Sequence, residues 1–113
     1  MSRILIVEDE FLIATTLEEM LIEQGHEIIG IAPTLQEGVR MASDPACQGA
    51  LLDLNLNGEK SLPIADILQK RGVPFVYTTG YGDSIASMAG DVPILSKPYT
   101  QADVKHAIGL LGL

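Results

Sequence analysis

The sequence predicts an α/β fold, a doubly wound five-stranded parallel sheet in the order 2-1-3-4-5 with helices on both faces. Three observations predict it. Short apolar runs rich in β-branched residues alternate with helical stretches, five times along the chain. The runs are continuously apolar rather than alternating, as strands covered on both faces are. The connections are short, and right-handed crossovers then leave few topologies, of which 2-1-3-4-5 is preferred.

Each element has its own local cause. Ile4-Leu5-Ile6-Val7 stops at Glu8-Asp9-Glu10 and reads as the first strand. Phe11–Gln24 follows as a helix, with Ile13, Leu17, Met20 and Leu21 on one stripe and Gly25 as the stop. Glu27–Ala32 is the second strand, ended by Pro33. Thr34-Leu35-Gln36-Glu37 fits a capping box for a second helix reaching about Ser43, an assignment that Gly38 counts against. Gly49–Asp53 is the third strand, and Asn55-Leu56-Asn57-Gly58 reads as a loop.

Pro63 suits the first turn of a third helix that turns Ile64, Ile67 and Leu68 inward and closes at Gly72. Val73–Thr78 is the fourth strand, and the fifth lies within Asp91–Ser96. Thr100 and Asp103 cap a last helix with Val104, Ile108 and Leu111 on one stripe. Between the last two strands only about a dozen residues remain, with Gly80, Gly82 and Gly90 among them. The fourth helix is therefore short and marginal.

The length of 113 residues is that of one domain, 1–113, able to bury about two thirds of its unfolded surface. A hydrophobic fraction of 47% against 19% charged excludes disorder. Fifteen acidic and seven basic residues leave a net charge of -8, which repels nucleic acid and anionic lipid. The same balance suits a site that gathers carboxylates around a cation. Cys47 is the single cysteine, so no internal disulfide forms, and it reads as a small inert core residue. Neither a signal peptide nor a membrane span is visible, and a cytoplasmic location is expected.

In an open parallel sheet, ligands bind beyond the carboxyl ends of the strands, where strand order reverses. Glu8-Asp9 follow the first strand, Asp53 ends the third, Thr78-Thr79 the fourth, and Ser96-Lys97-Pro98 the fifth. Three carboxylates, a hydroxyl and an ammonium should therefore meet at one edge. Three carboxylates within ~4 Å repel by a few kcal/mol per pair at an effective dielectric near 20. A hard divalent cation relieves this, and oxygen ligation with retained waters suits Mg²⁺. Such crowding should raise the pKa of at least one carboxylate.

This constellation resembles the receiver domain of two-component response regulators, with its CheY-like sandwich, over essentially the whole chain. Pro74-Phe75-Val76-Tyr77-Thr78-Thr79-Gly80-Tyr81-Gly82 is similar to the signature of the FATGUY subgroup of stand-alone receivers. The resemblance implies a regulatory phosphoacceptor rather than an enzyme. Asp53 would take a phosphoryl group from a phosphohistidine. Asp9, Asp53, Glu8 and the Asn55 carbonyl would hold Mg²⁺, with Glu8 partly through water. Thr79 would hydrogen-bond the phosphoryl group, and Lys97 would pair with it. The Lys97–Pro98 bond would be cis. The implied partners are a histidine kinase, in this subgroup frequently of HWE or a related type, or a phosphotransfer protein, and an unidentified downstream protein.

Two positions depart from the receiver pattern. Ile94 stands three residues before Lys97, where many receivers carry a Tyr or Phe that swings inward. A rotating ring cannot then be the switch, and ordering of the short fourth helix is expected in its place. Tyr81, two residues after Thr79, either packs outward or shields the acyl phosphate from water. His26 and His106 are isolated, and His106 falls on the face opposite the last helix's apolar stripe, so no role is expected for either. The apolar end Ile108–Leu113 is either a covered terminus or part of a partner surface with the fourth helix and fifth strand, open to a second copy of the chain.

Rival functions fit less well. A haloacid-dehalogenase-type phosphotransferase wants an acid where Asn55 stands. A flavodoxin-like nucleotide binder wants a phosphate-cradling loop where Glu8-Asp9-Glu10 stands. A phosphate sink, the front part of a longer regulator, and a degenerate binding module remain as variants of the receiver reading.

Overall fold

The computed structural model describes residues 2–56, 58–80, 92–97 and 99–113. In chain order the elements are β1 (Arg3–Val7), α1 (Phe11–Glu23), β2 (Glu27–Ala32), α2 (Leu35–Ala42), β3 (Gly49–Asp53), β4 (Asn55–Leu56), β5 (Glu59–Lys60), α3 (Leu62–Arg71), β6 (Phe75–Thr79), β7 (Ile94–Ser96) and α4 (Gln101–Leu110). The main sheet has the order β2-β1-β3-β6-β7, and every neighbouring pair is parallel. Counting only its members, this is the expected order 2-1-3-4-5.

Helices cover both faces because the strands are apolar on both. Leu5, Val7, Leu52 and Tyr77 face a core shared with Ala42, Ile64 and Leu68 of α2 and α3. Ile4, Ile6, Leu51 and Val76 face the other core, with Leu17 and Leu21 of α1 and Val104 and Ile108 of α4. Successive residues of one strand thus alternate between two dry layers. At about 25 cal/mol per Å², full burial of each such side chain stabilises the fold by roughly 1.5–3 kcal/mol before entropy is counted.

Local chemistry sets the element ends. Thr34 Oγ1 accepts from the Glu37 N–H at 3.2 Å, but the Glu37 carboxylate turns to Arg40 at 2.7 Å, so the expected box is half made. At α4 the box is complete: Thr100 Oγ1 accepts from the Asp103 N–H, and Asp103 Oδ2 accepts from the Thr100 N–H. Gly72 ends α3 at φ 69°, a left-handed position that favours glycine.

Two expectations change. The stretch 55–58 is not a plain loop, because Asn55–Leu56 pairs antiparallel with Glu59–Lys60. Leu56 is fully buried, which gives the segment an anchor, and Gly58 at φ 86° permits a two-residue reversal. Gly38, which counted against a helix here, lies inside α2. A Cβ at Gly38 would overlap Ile64 Cδ1 of α3, so any larger residue there would force the Ile64 side chain to shift. The expected short fourth helix and Tyr81 fall within 81–91, and Pro98 with its expected cis bond is likewise outside the described residues.

Candidate functional site

Strand register builds the site. Val7 pairs with Leu52, Asp53 with Thr78, and Thr79 with Ser96. The residues at the strand ends, Glu8, Asp53, Thr78, Thr79 and Lys97, are thereby brought to one edge of the sheet. Glu8, Asp53, Thr78 and Thr79 are all buried. Lys97 reaches them through a backbone bond, its N–H donating to the Thr79 carbonyl at 2.8 Å.

Lys97 Nζ lies 2.7 Å from Glu8 Oε1 and 3.1 Å from Asp53 Oδ2. One ammonium thus bridges two buried carboxylates borne by neighbouring strands. The other Asp53 oxygen, Oδ1, accepts from the Asn55 N–H at 3.1 Å. Glu8 Oε2 accepts from the Glu10 N–H at 3.1 Å, at the entry to α1. Asp53 is therefore held from both sides at the carboxyl end of β3.

The charges do not balance. With both ionised, two buried carboxylates share one ammonium, which leaves one negative charge before Asp9 is counted. Burial pushes the Glu8 carboxyl up to about 7; the Lys97 bond pulls the other way, and Asp53 adds to the rise. Burial alone would lower the Lys97 ammonium, yet Glu8 and Asp53 outweigh it and hold it above its ordinary value. Oxygens of Glu8, Asp9 and Glu10 lie within 4.8 Å of one another. The donors are all hard oxygens around an uncompensated buried charge, and such a set fits a hard divalent ion.

Asn55 presents its backbone to Asp53 while its side chain is exposed. Ile94 is half-buried and pairs with Tyr77. His106 is exposed, as expected. Tyr99 was not foreseen: burial pushes its phenol up to about 12, and it lines a cavity of about 490 Å³ with Lys97, Gly80 and Leu12, Ile13 and Thr16 of α1. Its position two residues beyond Lys97 was the available signal.

A model described as the response regulator receiver domain matches residues 4–109. The chain belongs to the response regulator receiver family. Its elements are accordingly those of two-component signalling. This receiver is 40% identical to SdrG from Sphingomonas melonis Fr1, whose solution structure superposes with a TM-score of 0.90 over 100% of this chain and 98% of that one. It is 35% identical to the phyllosphere-induced regulator PhyR of Methylorubrum extorquens over 95% of this chain and 42% of PhyR. It is also 35% identical to the transcriptional regulatory protein PdtaR of Mycobacterium tuberculosis, over 96% of this chain and 55% of PdtaR. The receiver thus spans about half the length of these two curated relatives. No described helix is long and apolar enough to cross a membrane.

Proposed function

We propose that the protein accepts a phosphoryl group on Asp53 from a phosphohistidine of a histidine kinase or phosphotransfer protein, and that acceptance changes what it binds. The observation that carries this reading is the bridge from Lys97 Nζ to Asp53 at 3.1 Å and Glu8 at 2.7 Å. It supplies a cation beside a carboxylate at the carboxyl end of a buried strand.

In the transfer, an Asp53 carboxylate oxygen forms a bond to phosphorus as the phosphorus–nitrogen bond of the donor breaks. The electron pair leaves with the imidazole. The product is an acyl phosphate. Such transfer needs positioning and charge neutralisation more than covalent assistance. Lys97 is placed to shift from the carboxylate pair to the phosphoryl oxygens. The Asn55 N–H orients Asp53 by holding Oδ1. Thr79, buried at the end of β6, is assigned a hydrogen bond to the phosphoryl group.

Glu8, Asp9, Asp53 and the Asn55 carbonyl are the groups that would hold Mg²⁺. When bound, Mg²⁺ supplies positive charge toward the phosphoryl oxygens. The cavity between α1 and Lys97 gives a donor side chain a route beside the ammonium. A protein is the fitting downstream partner, because a net charge of -8 disfavours nucleic acid.

Incubation with acetyl phosphate and Mg²⁺, read by intact mass, tests the reading. One phosphoryl adduct is expected on the wild type and none on Asp53→Asn. Absence of the adduct on wild type, or its persistence on Asp53→Asn, overturns it. A degenerate module predicts the first outcome.

A further inference from the structure

We propose that Lys60 is a steering residue for the phosphodonor, a second cation presented beside Asp53 by the β4–β5 hairpin. The inference rests on the reading of Asp53 as the acceptor.

The hairpin begins two residues after Asp53 and is tied to it by the bond from the Asn55 N–H to Asp53 Oδ1. Asn55 pairs directly with Lys60, and Leu56 with Glu59. Directly opposed residues project from the same face, with Cβ atoms roughly 5 Å apart. Leu56 is buried, whereas Asn55 and Lys60 are exposed. The Asn55–Lys60 face is therefore open to solvent, and alternation puts Glu59, itself exposed, on the other face beside Leu56. A lysine on a flexible four-carbon stem presents its charge where a donor would approach.

The charge distribution makes that placement consequential. The site edge carries Glu8, Asp9, Glu10 and Asp53 on a chain of net charge -8, and every phosphodonor is itself anionic. Most basic side chains are already engaged. Arg3 pairs with Glu27, Arg40 with Glu37, Lys70 with Asp66, and Lys97 with Glu8 and Asp53. Arg71 donates to the Ala42 carbonyl. Among the described residues that leaves Lys60 and Lys105 without an ion pair. Lys105 lines a cavity beside Gly25 and His26, at the entry to β2 and the opposite end of the strands. Of these two, Lys60 lies on the acceptor side, on the hairpin that follows Asp53, where it adds to Lys97 in offsetting the repulsion. Fixed charges of this kind act on the encounter rate and lose their effect as salt screens them.

The test is the rate of Asp53 phosphorylation of the full chain by acetyl phosphate and Mg²⁺, at low and at high ionic strength. Lys60→Gln should slow the reaction about three- to tenfold at low salt and flatten its salt dependence. Lys60→Arg should keep both the rate and the slope. Lys105→Gln, which changes net charge equally, should follow wild type. A Lys60→Gln rate and slope equal to those of wild type would overturn the proposal, as would equal slowing by Lys105→Gln. Failure of the wild type itself to gain phosphate overturns the acceptor reading, and this proposal with it. Thermal melts of the variants identify any loss of fold, and the arginine variant keeps the proposal falsifiable if the glutamine variant loses it.

Discussion

Lys97 carries most of the electrostatic order of the site, because two buried carboxylates lean on its single charge. Replacing it with alanine leaves both without a partner. Breaking a buried pair in this way costs about 3–5 kcal/mol. Lys97→Ala should lose about that much stability in a urea melt with chelator, and Mg²⁺ should stabilise the variant more than it stabilises wild type. Glu8 gives the pH dependence. Its carboxyl is raised from 4.5 to about 7 in the fold, so the folded state binds the proton more tightly than the unfolded chain. That contribution is fully present below pH 4.5 and lost as pH rises through about 7. In metal-free solution the melting temperature of wild type relative to Glu8→Gln should therefore fall from pH 5 to pH 8; a difference independent of pH would contradict the burial of Glu8. Glu8, Asp53 and Lys97 were legible in the sequence because each follows an apolar run. Tyr99 was not, because its burial depends on α1 and β6 rather than on its own neighbours.

At the scale of the element, Gly38 shows how helix propensity yields to packing. Alanine is the better helix former by about 1 kcal/mol, yet its Cβ at this place would overlap Ile64 Cδ1. Gly38→Ala should destabilise the protein by about 1–3 kcal/mol, and Ile64→Val in the same chain should recover part of the loss; chemical denaturation of the single and double variants measures both. The two caps differ in the opposite sense. Thr100 completes a reciprocal box with Asp103, whereas Thr34 receives only the Glu37 N–H. Thr100→Ala should cost about 1 kcal/mol, and Thr34→Ala less. Both caps were readable from spacing. The hairpin after Asp53 was not, since Asn-Leu-Asn-Gly suits a loop equally well. Burial of Leu56, a tertiary event, decides between the two.

For the whole molecule, the net charge of -8 and the acidic edge make cations the natural stabilisers. A ligand that binds only the folded state raises stability by RT ln(1 + [L]/Kd), about 2.7 kcal/mol at a hundredfold excess over Kd. Mg²⁺ should therefore raise the melting temperature of wild type well beyond the effect of Na⁺ at equal ionic strength. Asp9→Asn should remove most of that excess; a rise unaltered in the variant would detach Asp9 from the ion. The five strands, their order and the residues at their ends were determined by the sequence alone. Apolar runs, stops and caps are local, and handed crossovers leave few arrangements that cover every apolar face, of which 2-1-3-4-5 is preferred. Only the tertiary structure decided how those end residues share charge. Asp53 turns one oxygen to Lys97 and the other to Asn55, and Glu8 is buried far enough to hold its proton near neutrality. Depth and distance set the strength of a charge interaction, and neither is written in the order of the residues.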